Sequence, residues 1–101
     1  MFEVLETQEY AKWIDRLRDK RAQIKIILCI ERLASGNPGD SKALGSGVSE
    51  LRIDYGPGYR IYYMEMNRAI IILLAGGDKG TQTRDIAKAR MLAEQIKSEG
   101  I

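Results

Sequence analysis

The sequence predicts a single α+β domain, 1–101, in which an antiparallel sheet carries its helices on one side. Apolar residues recur at helical spacing near both ends of the chain, and they alternate with polar residues in the stretch between. The length of 101 residues, with 45% hydrophobic and 30% charged, suffices for one buried core and not for two. The predicted order of elements is βααβββα.

A short strand around Val4 leads into two predicted helices that must fold back on each other as a hairpin. Thr7 is placed to cap the first helix, and Asp19 is placed to cap the second, which runs over 20–35. The core face of the first helix consists of Tyr10, Trp13, Ile14 and Leu17.

The remainder is predicted as a loop, three strands and a last helix. Residues 36–47 are rich in Gly, Pro, Asn, Asp and Ser and predict an irregular loop. The strands are predicted at 48–55, 59–66 and 68–75, and the helix at 81–98. The third strand is apolar on both faces, as a central strand would be.

The first two of these strands form a predicted hairpin around the turn Gly56-Pro57-Gly58. Its predicted pairs are Tyr55 with Tyr59, Ile53 with Ile61, Arg52 with Tyr62 and Asp54 with Arg60. In this register the apolar side chains face the helices, and the opposite face presents Arg52, Arg60 and Tyr62 together with carboxylates.

Two interpretations of that face stay open. Two guanidiniums and a phenol on one surface can grip a phosphodiester bidentately and stack on a base. The same residues are also typical of a solvated face with cross-strand ion pairs, of which Arg60 with Asp54 is the obvious one.

The run Gly76-Gly77-Asp78-Lys79-Gly80 is a second candidate site. Its glycines could expose backbone amides beside Lys79 near a helix start, which would form an anion pocket. It lacks the Lys-Ser or Lys-Thr pair of a Walker A loop, so nucleotide hydrolysis is unsupported. As a bare pattern it is more often a simple turn.

Composition excludes several classes of function. The chain has no histidine and one cysteine, so we expect no metal site, no cofactor and no Ser-His or Cys-His nucleophile pair. The net charge of +2 is too small to indicate nucleic acid by itself. No apolar run approaches the roughly 20 residues that span a bilayer, so we expect a cytoplasmic protein without a membrane partner.

Several segments, in order and spacing, resemble a known family. They are 47–63, 73–79 and 84–87, with Tyr10-Ala11-Lys12-Trp13 and the run 32–37 before them. Together they are similar to the phage-derived addiction-module killer proteins, which are HigB-like toxins of the RelE/ParE superfamily. The resemblance covers nearly the whole chain.

That resemblance implies a RelE-like fold and the toxin of a type II toxin-antitoxin module. The implied partner is a helix-turn-helix antitoxin encoded beside the toxin, and DNA is contacted only indirectly, through the toxin-antitoxin complex. The ribonuclease members of the superfamily enter the ribosomal A site and cut messenger RNA, without a metal or cofactor.

The family's functional residues carry over to particular positions. Arg60 matches the arginine that would hold the scissile phosphate, Lys79 matches a basic residue after the last strand, and Arg52 resembles a basic position on the preceding strand. From the argument about the sheet face alone, Tyr62 is a candidate RNA contact that stacks on a base, and Lys42 is a further candidate contact.

The chain also departs from the family pattern, because it has no histidine and no tyrosine in the last helix. The general base therefore stays open among Glu50, Asp54 and a Lys79 of depressed pKa. The rival interpretation is a ParE-like toxin that inhibits DNA gyrase without catalysis, and a third is a partner-binding module whose activity has decayed.

Overall fold

The computed structural model describes residues 1–99, which form five strands and three helices. In chain order these are β1 (Glu3–Glu6), α1 (Gln8–Arg16), α2 (Lys20–Ala34), β2 (Ser41–Gly45), β3 (Val48–Ile53), β4 (Tyr59–Met66), β5 (Ile70–Asp78) and α3 (Gln82–Glu99). A short 3₁₀ turn, Lys79–Thr81, joins β5 to α3. The α+β class is confirmed. Over the same residues, no helix is both long and apolar enough to cross a membrane.

The predicted caps of the helical hairpin are confirmed. The Thr7 hydroxyl accepts a hydrogen bond from the amide of Tyr10 at 3.1 Å, and the Asp19 carboxylate accepts from the amides of Arg21 and Ala22. Each cap satisfies donors that the first turn of a helix cannot pair internally. The two helices therefore begin where the sequence places them.

The sheet is mixed, with the strand order β1-β5-β4-β3-β2. β1 runs parallel to β5, with Glu3 opposite Ile70, whereas every other neighbouring pair is antiparallel. The prediction of a wholly antiparallel sheet is therefore wrong. β1 holds only four residues and joins the edge of the last strand. The sequence of β1 does not indicate whether its partner, β5, which lies far along the chain, runs parallel or antiparallel to it.

Helices cover both faces of the sheet. The first core lies under α1 and α2 and contains Tyr10, Ala22, Ile26, Leu33, Leu51, Ile53, Tyr59, Ile61, Tyr63, Ile71 and Leu73. The second lies under α3 and contains Val48, Tyr62, Met64, Ile72, Leu74, Ala75, Ala89 and Ala93. The helical hairpin does pack on one face, but the expectation that all helices share that face is wrong. A strand such as β5 that is apolar on both faces must be covered on both.

The region predicted as an irregular loop contains β2, which pairs with β3 at the free edge of the sheet. This strand is short, partly exposed along its length and interrupted by a bulge between Ala43 and Gly45. An edge strand with so little buried surface has no alternating pattern to recognise.

β3 and β4 pair in a register that differs from the predicted one. Ile53 lies opposite Tyr59 and Arg52 lies opposite Arg60, so the connection is 54–58 and not a three-residue turn. Because the pairing moves by an even number of residues, each side chain keeps its predicted face.

Local hydrogen bonds explain the longer connection. The amide of Tyr55 donates to the carbonyl of Ile53 at 2.9 Å, and the amide of Gly58 donates to the carbonyl of Tyr55 at 3.2 Å. Gly56 and Gly58 adopt φ values of 57° and 81°, which glycine tolerates without a steric penalty. These bonds withdraw Asp54 and Tyr55 from the ladder.

β5 begins later and ends later than predicted. Asn67 and Arg68 both lie in the left-handed region, and the amide of Ala69 donates to the carbonyl of Met66 at 3.0 Å, which makes a tight two-residue turn. The strand then continues to Asp78 and includes the glycines that the sequence placed in a loop.

Candidate nucleic-acid interface

A basic cluster lies at one end of the sheet, on the face that α3 partly covers. Arg52 of β3 and Arg60 of β4 are register partners, and Gly77 of β5 lies next to Arg60 on the other side. Lys79 follows β5. A Cβ placed on Gly58 would be 3.5 Å from the Cβ of Lys79 and 3.7 Å from Nη1 of Arg60. The structure thus brings Arg52, Arg60 and Lys79 together.

Glu50 lies buried beneath the two arginines, with a side chain that is 1% exposed. Its Oε1 accepts a hydrogen bond from Arg52 Nε at 3.1 Å and lies 3.9 Å from Arg60 Nε. Its Oε2 accepts from Gln82 Nε2, at the start of α3, at 2.7 Å. Two like charges opposite each other across a sheet repel, and this carboxylate offsets that repulsion.

The guanidinium of Arg60 keeps donors for a ligand. Its side chain is 14% exposed. Nη1 reaches the carbonyls of Gly58 and Tyr59 only at 3.4 and 3.5 Å. Contacts of that length are at the outer limit of a hydrogen bond. Nε is buried and has no hydrogen-bond partner within residues 1–99, so only the Nη1/Nη2 end of the group can meet a ligand. The planar group is therefore held in place without being saturated, as a bidentate anion site requires.

The prediction that Tyr62 stacks on an RNA base is wrong. Its ring is fully buried in the core under α3, and a ring without exposed surface cannot stack on a ligand. Burial, and then the nearby charge of Glu50, raise the pKa of the Tyr62 phenol well above its usual range. Its hydroxyl has no hydrogen-bond partner in the described part of the chain.

The predicted ion pair between Arg60 and Asp54 is also wrong. Asp54 is exposed and lies beyond the end of β3, so it is not opposite Arg60, whose acidic neighbour is Glu50. Of the three candidates for the general base, Glu50 has no surface that could meet a substrate, whereas Asp54 and Lys79 are exposed.

Lys42 is exposed on β2 and lies opposite Glu50 in the register. It therefore stands at the outer edge of the same face, beside the basic cluster. Its role as an RNA contact stays a prediction.

The anion pocket predicted over 76–80 is wrong in that form, because Gly76 and Gly77 belong to β5. They admit close neighbours instead: a Cβ on Gly76 would be 2.2 Å from the ring of Trp13, and one on Gly77 would be 1.8 Å from Asp85 Oδ2. The amide of Gly80 already donates to the Asp78 carboxylate at 2.8 Å.

Asp85 and Gln82 also belong to the site, although neither was predicted to do so from the sequence. Asp85 is 7% exposed, accepts a hydrogen bond from the Thr81 hydroxyl, and lies over Gly77 beside the basic cluster. It shares a helical stripe with the buried Ala89 and Ala93, and a carboxylate on an apolar stripe signals a specific contact. Gln82 offers no comparable signal.

No group of three or more His, Cys, Asp or Glu side chains in residues 1–99 is arranged to hold a metal ion. What the cluster can do chemically is bind and polarise an anion. Arg60 and Arg52 present fixed positive charge beside Lys79, a cation on a flexible stem.

The fold and this site define a small α+β protein with a basic surface at one end of its sheet. The family model for phage-derived Gp49-like proteins (DUF891) matches residues 12–97. The chain belongs to this family, which is a family of addiction-module toxins. An uncharacterized protein of Haemophilus influenzae is 44% identical over 94 residues, which cover 93% of this chain and 95% of that protein.

Proposed function

We propose that this protein is a HigB-like toxin of the RelE/ParE superfamily, and that it is an endoribonuclease that cuts translated messenger RNA in the ribosomal A site. The observation that carries the proposal is Arg60, whose guanidinium lies beside Arg52 and Lys79 while its Nη1 makes only long contacts of 3.4 and 3.5 Å. A phosphodiester is the ligand that matches a planar fork with neighbouring cations.

The reaction is an internal transfer on the RNA. The 2′-oxygen forms a bond to the adjacent phosphorus and loses its proton, while the bond from phosphorus to the 5′-oxygen breaks and that oxygen gains a proton. The products are a 2′,3′-cyclic phosphate and a 5′-hydroxyl. Arg60 stabilises the charge that develops on the phosphorane, and Lys79 and Arg52 supply further positive charge.

Alignment of the RNA comes from the ribosome. The chain carries a net charge of +2 and no histidine, so it is poorly equipped to hold a flexible RNA in the geometry for in-line attack by itself. A codon held in the A site is already fixed in one conformation. The proposed toxin therefore acts in the cytoplasm, with the ribosome and messenger RNA as its partners.

The protein partner in this proposal is a helix-turn-helix antitoxin that is encoded beside the toxin. A surface suited to it is the outer side of α2, where Ile24, Ile27 and Leu28 are 58, 50 and 47% exposed at helical spacing. The same helix carries four basic side chains and one acidic one, Glu31. An acidic amphipathic segment of the antitoxin complements both features.

The test is a purified translation system programmed with a defined message. We expect cleavage phased to codons, 3′ ends that are cyclic or phosphorylated, and negligible cleavage of the same RNA without ribosomes. Arg60→Ala should remove the activity, whereas Lys20→Ala, at an exposed cation on α2, should retain it. A message that stays intact during translation would contradict the proposal.

One observation favours a second candidate, a ParE-like inhibitor of DNA gyrase. The buried Glu50 has both oxygens engaged, so it is not available as the general base. A site that binds anions without proton transfer would suit such an inhibitor. Gyrase-linked DNA breaks in cells that express the toxin, together with intact messages, would establish this alternative.

A further inference from the structure

A cleft of about 410 Å³ lies between α1 and α3, with Ala75 and Gly76 of β5 at its floor. It exists because β1 pairs with β5 only as far as Leu73. The chain then turns into α1 at Thr7, which donates to the carbonyls of Leu73 and Leu74 at 3.0 and 2.7 Å. Beyond that point the edge of β5 opens onto the cleft.

The walls of the cleft carry an excess of positive charge. Four basic side chains line it, Lys12, Arg16, Arg84 and Lys88, against the two carboxylates Glu9 and Asp85. Glu9 is paired with Lys88, and Asp85 lies 3.7 Å from Arg84 Nε.

Lys12 and Arg16 are the unmatched pair. They are exposed, lie one turn apart on α1, and have no carboxylate within 4.0 Å among residues 1–99. The surplus of two positive charges in this one cleft equals the net charge of the whole chain, +2. This excess of positive charge favours the binding of an anion in the cleft, in addition to the phosphate proposed at Arg60.

An aromatic wall stands beside these cations. The Trp13 ring lies against Gly76, packs edge-on to Tyr59 at 6.1 Å between ring centroids, and also lines the cleft. A flat apolar surface next to unpaired cations fits a nucleotide, in which a base adjoins a phosphate.

The cleft continues into the basic cluster. Arg84 lines both the cleft and a neighbouring depression that Lys79 and Gln82 line as well. Gly76, at the floor of the cleft, precedes Gly77, the register partner of Arg60. Gly76 and Gly77 face opposite sides of the sheet, so the path between the two cationic sites runs past Arg84 at the start of α3.

We propose that the cleft between α1 and α3 is a second RNA-backbone site, in which Lys12 and Arg16 bind a phosphate of the same strand whose scissile phosphate contacts Arg60. This inference rests on the proposed function and extends it. Lys12 and Arg16 are positioning residues, because they hold the strand and do not touch the reacting atoms.

The test compares the double variant Lys12→Gln/Arg16→Gln with the matched control Lys20→Gln/Arg21→Gln, which removes the same charge from exposed positions on α2. The probe is a fluorescent single-stranded RNA of about a dozen nucleotides, titrated by anisotropy over a range of salt concentrations. Loss of two phosphate contacts should weaken binding about tenfold or more at low salt. It should also make the slope of log K against log salt shallower by about 0.7, the value for one phosphate of a single strand.

A second readout separates positioning from a merely structural role. On translated messages, Lys12→Gln/Arg16→Gln should raise KM and leave kcat near that of the wild type. Circular dichroism melts of the two variants should coincide with that of the wild type, since the four side chains concerned are exposed.

The outcomes distinguish this inference from the proposed function. If the wild type cuts translated messages but the cleft variant matches its control in slope and KM, the second site is overturned and the ribonuclease stands. If the wild type cuts nothing but the cleft variant alone loses RNA affinity, the second site is supported and the ribonuclease is overturned. If the wild type binds no RNA even at low salt, the site is overturned.

Discussion

Arg60 is the residue on which the proposed chemistry depends most. Its side chain lies outside both cores and makes only long contacts, so Arg60→Ala should leave the fold intact. Loss of a charge-assisted phosphate contact should weaken binding by roughly 1.5 to 3 kcal/mol and reduce transition-state stabilisation further. Expression of the variant should therefore not arrest growth. A soluble Arg60→Ala protein that remains fully toxic would exclude Arg60 from the site.

The residue next to Arg60 in the chain should respond to substitution by losing the fold. Ile61 is fully buried in the first core, under the helical hairpin. Ile61→Asp would bury an unpaired carboxylate and should give insoluble protein, in contrast to its neighbour.

Tyr62 should behave as a core residue whose hydroxyl is dispensable. The hydroxyl is buried without a partner, so Tyr62→Phe should leave the free energy of unfolding unchanged or raise it by up to about 1 kcal/mol. Cleavage of translated messages should be retained. A large loss of cleavage in a fully folded variant would show that this hydroxyl takes part in the reaction.

The pH dependence of stability follows from the same residue. Burial raises the pKa of Tyr62 in the folded state, so the stability it contributes is fully present below the unfolded pKa of about 10 and is lost as pH rises above it. Burial raises the pKa of Tyr10 too, with the same sign. In urea titrations between pH 8 and 11, Tyr62→Phe should lose stability less steeply than the wild type.

At the scale of elements, the contact between β5 and α3 sets the position of the basic cluster. A Cβ on Gly77 would fall 1.8 Å from Asp85 Oδ2 and 2.8 Å from Thr81 Oγ1, so Gly77→Ala must displace the start of α3. We expect a loss of 1 to 3 kcal/mol, about the range for overpacking, in urea unfolding.

Two further variants make that prediction specific. A Cβ on Gly80 would lie 3.2 Å from its nearest neighbour, Asp78 Oδ1, so Gly80→Ala should destabilise the protein less than Gly77→Ala does. In the double variant Gly77→Ala/Asp85→Ala the carboxylate is gone, so its loss of stability should be smaller than the sum of the single effects. Simple additivity would mean that the carboxylate does not cause the clash.

The exposed face of α2 gives the second prediction at this scale. Ile27→Glu adds a charge at the centre of the half-exposed apolar stripe, away from the basic cluster. The variant should stay toxic but no longer be neutralised by the antitoxin, because an acidic partner segment would be repelled and its apolar face left uncovered. Co-purification of tagged antitoxin with each toxin measures the loss directly. Undiminished co-purification would place the antitoxin elsewhere.

For the whole molecule, membership of a toxin family makes a physiological prediction. Induction of this chain alone should arrest growth, and co-expression of a helix-turn-helix protein encoded beside it should restore growth. The soluble amount of the chain must be verified in both cultures. Normal growth at verified soluble expression would contradict a toxic activity.

Much of the local structure followed from the sequence because it depends on near neighbours in the chain. Thr7 and Asp19 cap their own helices, and alternation assigns Arg52 and Arg60 to one face of a hairpin. The predicted face of a side chain stays correct even when the predicted register is wrong, provided that the error is an even number of residues. That Arg52 and Arg60 share one face was predictable for the same reason, whereas the place of Lys79 was implied by the family resemblance.

Other features depended on elements that are distant in the chain. The short edge strand β2 and the parallel pairing of β1 left no pattern, because their partners determine them. Tyr62 looked like a surface residue because nothing in β4 shows that α3 crosses over it. Gly77 resembled a loop glycine because the carboxylate that requires it belongs to another element.

By itself, the sequence determined the α+β class, the helix starts, the face that carries Arg52 and Arg60, and the absence of histidine chemistry. Only the tertiary structure decided that Glu50 is a buried partner of those arginines, that Tyr62 is core, and that a cationic cleft opens beside them. The physical reason is the range of the interactions. Periodicity and capping act within a few residues of chain, whereas burial and the charge around a side chain are set by whichever elements pack against it.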